Sequence, residues 1–181
     1  MKRAAVIVAL LVVGFGLLGQ LRQQPAVAHN LVMAPVGTLP LTVRQLTAAA
    51  DIIAVVRPTG NDHVHWNSAQ NRQWVPTDER QAMIYNDQEL TVVRLLRGEA
   101  ADSIIVRNIG GTVGDSSFEY EGLEALDPAH LYVVFLETVE TPTEEGAETA
   151  LSFVGQGQGV FVDTQDAYVS VFGQEVVPAD I

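Results

Sequence analysis

Two histidines separated by one residue are the sharpest candidates for chemistry in this chain. They lie in the segment Asp62-His63-Val64-His65. In an extended segment alternate residues share one face, so His63 and His65 would present two imidazoles to a copper or zinc ion. The spacing fixes no third ligand, and the alternative is a solvated loop that carries two ordinary histidines.

His29 offers a second route to copper. Cleavage after Ala28 would make His29 the N-terminus, and a terminal amine together with its own imidazole can chelate copper. A distant histidine would complete such a site. The metal hypothesis therefore comprises His63 and His65, with His29 if cleavage occurs there. Beyond copper or zinc, the sequence indicates no cofactor.

Trp66 and Trp74, the two tryptophans of the chain, lie in the polar stretch of residues 58–81. A long polar loop in a compact domain is often functional, and this one is predicted to be the contact surface for a partner. Aromatic side chains are strong anchors at interfaces. The two tryptophans are therefore predicted partner-binding residues, with packing back over the domain as the alternative.

Four acidic residues, Glu119, Glu121, Glu124 and Asp127, supply oxygen atoms that calcium would accept. No calcium-loop pattern arranges them, so a solvated acidic loop is the favoured interpretation. Serine, histidine and aspartate all occur, but the G-x-S-x-G elbow of hydrolases is missing. The sequence thus predicts no catalytic residue, and a hydrolase is the weakest hypothesis.

The charge balance excludes some partners. The formal net charge is -12, and three of the ten basic residues but none of the 22 acidic ones lie in the first 28 residues, so the remainder carries -15. Such a surface repels phosphate backbones, and nucleic-acid binding is not expected. There is no cysteine, which excludes disulfides and thiolate ligands.

The first 28 residues have the pattern of an export signal. Lys2 and Arg3 precede an apolar run over residues 4–19, and Ala26-Val27-Ala28 fits a signal-peptidase site. Two interpretations stay open, a cleaved signal peptide or a retained N-terminal membrane anchor. Either one predicts an extracytoplasmic domain, secreted or held at the outer face of the cytoplasmic membrane.

The elements that must position these residues are mostly strands. A short helix is predicted at Thr42, where Gln45 completes a capping-box pattern. Residues 52–56 and 131–136 are apolar runs typical of buried strands. Further short strands are predicted at residues 103–109, 151–154, 159–163 and 167–172. One helix with many short strands indicates an antiparallel barrel or sandwich.

Residues 85–98 predict the longest strand, which ends at a turn at Gly98. Leu90 and Val92 alternate with Val93 and Leu95, so that both faces are apolar. We therefore expect a central strand covered on two sides.

Five segments together resemble a group of exported bacterial domains similar to the netrin-like and tissue-inhibitor-of-metalloproteinase OB barrel. In order they read ADIIAVV (residues 50–56), VVRLLRG (92–98), IIVRNIGG (104–111), LDPAHLYVVFL (126–136) and GQGQG (155–159). The resemblance covers about residues 42–173. It implies a mainly β fold, an OB-like antiparallel barrel with one short helix before the first strand. The inhibitor family relies on cysteines that this chain lacks, so protease inhibition is not implied.

The expected organisation is a leader (residues 1–28), a linker (29–41) and an OB-like domain (42–177). The expected function is a non-enzymatic extracytoplasmic module that contacts a protein or cell-envelope component through residues 58–81. Membrane contact is expected only through a retained leader. The alternative is a copper- or zinc-binding exported protein.

Overall fold

The computed structural model describes residues 30–33, 40–74, 82–120, 126–163, 168–170 and 175–176. This part of the chain is mainly β and contains one short helix, α1 (Val43–Ala49). The strands are β1 (Asn30–Met33), β2 (Ile52–Trp66), β3 (Ile84–Arg97), β4 (Ser103–Ile109), β5 (Gly111–Val113), β6 (Ser116–Tyr120), β7 (Tyr132–Thr143), β8 (Gly146–Phe153), β9 (Val160–Asp163), β10 (Tyr168–Ser170) and β11 (Glu175–Val176).

Helix α1 begins as predicted. The Thr42 side chain accepts a hydrogen bond from the Gln45 backbone N–H, and the Gln45 side chain accepts one from the Thr42 N–H, which completes the capping box. Leu46 is buried, and the helix ends at Ala49 with Ala50 as its C-cap, shortly before β2 begins at Ile52. The helix covers one face of β2 and β7.

The main sheet has the order β11-β10-β9-β7-β2-β3-β4-β8, and β8 also pairs with β7. Five strands therefore form a ring-like sheet in which β7, β2, β3, β4 and β8 follow one another. The pairings in this ring are antiparallel except for β4 with β8, which is parallel.

Two apolar clusters lie on opposite faces of β2 and β7. One fills the ring and contains the alternate residues Ile52, Ala54, Val56, Val134 and Leu136, together with side chains of β3, β4, β8 and β9. The other lies under α1 and contains Leu46, Ala50, Ile53, Val55, Val133, Phe135, Val154 and Phe161. The apolar runs of β2 and β7 are continuous because both of their faces are buried.

Strand β2 is much longer than predicted. Residues 58–66, interpreted as the start of a polar loop, continue the strand and pair with β3 as far as Trp66 with Ile84. The ladder shifts between Pro58, which faces Leu90, and Asp62, which faces Gln88. The polar residues of this half are compatible with a strand because only one of its faces is apolar.

Strand β3 is central but is not covered on both faces, and in this respect the prediction is wrong. Val93 is 55% exposed and Leu95 and Leu96 are 40% exposed. Val55 faces Arg94 and Val56 faces Val92, so Val93 is an extra residue in the ladder. A similar shift leaves Leu96 between partners. Such β-bulges interrupt the alternation from which burial was inferred.

The predicted turn after β3 is confirmed at Gly98. Its φ is +84°, and a Cβ atom there would collide with the carbonyl oxygen of Asp51. Both the left-handed backbone and the close approach require glycine.

Residues 112–120, interpreted as part of an acidic loop over residues 112–130, lie almost entirely within β5 and β6 instead. β6 also pairs in parallel with β1, which lies within the segment predicted to be a linker. A third apolar cluster, centred on Trp66, Ile84 and Phe118, joins this small sheet to the ends of β2 and β3.

Candidate functional site

A row of polar side chains crosses β2, β3 and β4. The ladder places His63 opposite Asp87 and Asp87 opposite Arg107, while His65 faces Tyr85. The two histidines lie on one face, as alternation in an extended segment requires, and their rings stack with centroids 5.0 Å apart.

Asp87 is the centre of this row. Arg107 donates two hydrogen bonds to it, from Nε to Oδ1 and from Nη2 to Oδ2, both at 2.7 Å. Nε2 of His65 lies 3.1 Å from Oδ2. The side chains of Asp87 and Arg107 are 15% and 11% exposed, so this is a bidentate and largely buried ion pair.

Arg107 also connects β4 to the β7–β8 hairpin. Its Nη1 donates to Glu148 Oε2 at 2.7 Å and to Thr141 Oγ1 at 3.3 Å, and its guanidinium lies 5.1 Å from the ring centroid of Tyr85. The Tyr85 hydroxyl donates to the carbonyl oxygen of Pro142 at 3.2 Å. One cation therefore joins a carboxylate and an aromatic ring of β3 to a carboxylate of β8.

The surroundings keep the ion pair charged. Burial raises the pKa of Asp87, but hydrogen bonds and charge from Arg107, with a smaller contribution from His65, outweigh it and hold that pKa below its usual value. The hydrogen bonds with Asp87 raise the pKa of Arg107 despite its burial. Burial also raises the pKa of Tyr85 to about 12, so Tyr85 stays a neutral hydroxyl at pH 7.

His65 is held at both ring nitrogens. Nδ1 lies 2.9 Å from the carbonyl oxygen of Trp66, and Nε2 contacts Asp87. A metal ion would have to displace one of these contacts to bind His65. Across the described ranges, no group of three histidine or acidic side chains is arranged to hold a metal ion.

A cavity of about 320 Å³ opens beside this row. It is lined by three parts of the chain, namely the end of β2 with the residues that follow it, β3 with β4, and the β7–β8 hairpin. The lining residues are His65, Trp66, Asn67, Ser68, Ala69, Tyr85, Arg107, Thr143, Glu145 and Glu148. Its volume is at the lower end of the range for ligand pockets in proteins.

Both tryptophans pack inward. Trp66 is 8% and Trp74 is 6% exposed. Trp66 belongs to the third apolar cluster, and the indole Nε1 of Trp74 donates to Asn67 Oδ1 at 2.8 Å. Their burial matches the alternative of packing back over the domain, and Trp66 still reaches the cavity wall. Their role in partner binding stays a prediction.

Asn67 hydrogen-bonds the chain after β2 to the residues before β3 and to the β7–β8 hairpin. Its Oδ1 also accepts the Met83 N–H at 2.8 Å, and its Nδ2 donates to the Pro142 carbonyl oxygen at 3.1 Å. Its carbonyl oxygen accepts the Glu144 N–H at 2.8 Å. These bonds position the β7–β8 hairpin against the β2–β3 connection, and the cavity lies between them.

Of the other predicted candidates, Asp127 has a described side chain and does not join this site. Asp127 caps its own turn, accepting the Ala129 N–H at 2.8 Å and contacting His130 Nδ1 at 3.2 Å. Glu119 lies in β6. His29, Glu121 and Glu124 lie outside the described residues.

Sequence reasoning missed Tyr85, Asp87, Arg107 and Glu148. A signal for the first two was present, because both alternate on one face of the strand predicted over residues 85–98. Arg107 is a charge within the apolar strand predicted over residues 103–109. These residues meet because of the pairing register of β3, β4 and β8, and no local sequence pattern predicts that register.

Comparisons with protein-family models, with characterised proteins and with solved structures find no match to this chain. Within the described residues, no helix is long and apolar enough to cross a bilayer.

Proposed function

We propose that this chain is a non-enzymatic extracytoplasmic module that contacts a protein or a cell-envelope component. The contact surface comprises residues 58–74 of the predicted 58–81 segment together with the β7–β8 hairpin, around the cavity. The export pattern of residues 1–28, as a cleaved signal or a retained anchor, supports the location. The net charge of -12 argues against nucleic acid as the partner.

The observation that carries this proposal is the position of the cavity next to two of the connections between strands of the ring. We infer an OB-like barrel in which β2, β3, β4, β7 and β8 are the five strands, in agreement with the resemblance to netrin-like domains. The order β2-β3-β4-β8-β7 with one parallel pair supports it. OB folds bind ligands with the connections after their first and fourth strands. Here these are the β2–β3 connection and the β7–β8 turn, and both line the cavity.

The chemistry of the cavity wall favours binding over catalysis. Arg107 is engaged by Asp87 and Glu148, and His65 is engaged at both nitrogens. Groups that satisfy one another in this way form a rigid recognition surface. A catalytic base or nucleophile would instead need a lone pair directed at a substrate.

Site-specific photo-crosslinking in the intact cell envelope tests this proposal. A photoreactive residue at Ala69, which is exposed at the cavity rim, should give one discrete adduct. The matched control is Glu99, which is also exposed but lies beyond the opposite end of β3. Equal adducts at both positions, or none at Ala69, would contradict the proposal.

A second candidate function is copper or zinc binding by His63 and His65, with His29 where it is the N-terminus. The stacked imidazoles on one face support it. In titrations with each ion, the native chain should bind and the His63→Ala/His65→Ala variant should not. Unchanged binding in the variant would remove this candidate. N-terminal sequencing of the exported protein decides the part of His29, since only a chain that starts at His29 has the required amine.

A further inference from the structure

The ring is incomplete between β4 and β8. These strands share one register pair, Val106 with Leu151. Over residues 146–150, within the described chain, β8 pairs with β7 alone, and Ala147, Glu148 and Thr149 are exposed. An unpaired strand edge presents backbone N–H and C=O groups that can pair with another chain. Arg107 and Glu148 bridge the opening with their side chains.

The cavity lies beside this open edge. Glu148 and Arg107 belong both to the bridge across the opening and to the cavity wall, and Glu145 of the hairpin turn lines the same wall. The Ala69 N–H donates to Glu145 Oε1 at 3.1 Å, which fixes that carboxylate at the rim. A strand that added to β8 would therefore pass the mouth of the cavity.

The charged side chains around the mouth of the cavity favour a cationic ligand group over an anionic one. Nε, Nη1 and Nη2 of Arg107 already donate to Asp87, Glu148 and Thr141, so an anionic group would meet a cation whose nitrogens are all engaged. The carboxylates of Asp87 and Glu148 carry one more negative charge than the positive charge of Arg107, and Glu145 adds a further negative charge. The site is therefore complementary to a cation.

We propose that an extended segment of a partner protein adds to the open edge of β8 and places an arginine or lysine side chain in the cavity. Backbone pairing supplies affinity in this mode of recognition, and the pocket for one side chain supplies specificity. This inference rests on the proposed function and adds to it the chemistry of the partner.

Calorimetry and amide NMR with short peptide probes test it on the intact chain. The first probe is the capped pentapeptide Thr-Val-Arg-Val-Thr. The second replaces its arginine by citrulline, which has the same shape without the charge, and the third carries N-methyl groups on the backbone. The first probe should bind about tenfold more tightly than either of the others. The changes that this probe causes in the amide chemical shifts of the protein should map to residues 146–150 and Arg107.

Variants of the protein separate charge from folding. Glu145→Gln, which leaves the Arg107 contacts in place, and Glu148→Gln should each weaken the arginine peptide about fivefold or more. Glu99→Gln, at the far end of β3, should leave it unchanged. Equal affinity for the arginine and citrulline peptides, or no effect of N-methylation, overturns the inference. A discrete adduct at Ala69 together with either result would refute this partner chemistry and leave the interaction module standing.

Discussion

Arg107 holds two carboxylates from different strands, and its removal would leave Asp87, whose side chain is only 15% exposed, without a cationic partner in a largely buried position. In the Arg107→Met variant the apolar stem is kept, while Asp87 loses both short hydrogen bonds and its nearest cation. Breaking a buried ion pair from one side typically costs about 3–5 kcal/mol. We expect a loss of unfolding free energy of about that size in urea titrations at pH 7.

The matched control is Arg72→Met. Arg72 contacts Glu144 at 3.1 Å, but its side chain is 58% exposed. An exposed ion pair contributes about 0–1 kcal/mol. If both variants lost the same stability, the buried network could not be what joins β4 to the hairpin.

Asp87 makes the stability of the fold depend on acidic pH in a defined direction. Its folded-state pKa lies below the ordinary aspartate value of 3.8, so near and below that pH the unfolded chain binds more protons than the folded one. Its contribution is complete above the unfolded pKa and is lost as the pH falls through the folded pKa. Unfolding free energies measured from neutral pH down to about pH 2.5 should therefore fall more steeply for the native chain than for Asp87→Asn. Parallel curves would show that Asp87 is not the linked group.

At the level of elements, the β2–β3 connection depends on one amide. Asn67 is 2% exposed and bonds to Trp74, Met83 and Pro142 through its side chain. Asn67→Ala leaves these buried and partly buried groups without that partner, and we expect a loss of about 2–3 kcal/mol in unfolding free energy. The fluorescence of Trp74 should shift at the same time.

Asn61→Ala is the control for this prediction. Asn61 is exposed, and its side chain donates to Glu89 Oε2 at 2.9 Å on the surface. The loss of unfolding free energy in Asn61→Ala should stay within about 0.5 kcal/mol.

The burial of the two tryptophans limits what their substitution can test. Trp66→Ala and Trp74→Ala would disturb the core, so the loss of a partner in these variants would not by itself prove direct contact.

The elements could be predicted from sequence where local chemistry determines them. The β-branched run of residues 52–56 and the capping box of Thr42 with Gln45 gave a strand and a helix that the structure contains. The second half of β2 could not be predicted in this way, because Asp62 and the two histidines favour a loop by composition. It is a strand because β3 pairs with it along its length.

The site was predicted less well than the fold. His63 and His65 were found because their spacing is local. Asp87 and Arg107 are 20 residues apart, and Glu148 lies 41 residues beyond Arg107. Their meeting depends on strand order and register, which a local pattern does not contain.

At the scale of the whole molecule, the net charge of -12 should govern how fast a basic partner arrives. Salt screens such attraction, with a Debye length of about 10 Å at 0.1 M. The association rate of the arginine peptide, measured by stopped flow, should fall several-fold between about 0.05 and 0.5 M salt. The citrulline peptide should show little change over the same range. A salt-independent rate for both would mean that the charge of the molecule does not steer binding.

The register shift between Pro58 and Asp62 divides β2 into two halves. Four positions on β2 correspond there to two on β3, so the strand carries two extra residues. Because side chains alternate with a period of two, an even insertion leaves every later residue on its original face. The half that lines the cavity can thus change its composition without moving the half that fills the ring. Natural selection could alter what this domain recognises while the core that folds it stays the same.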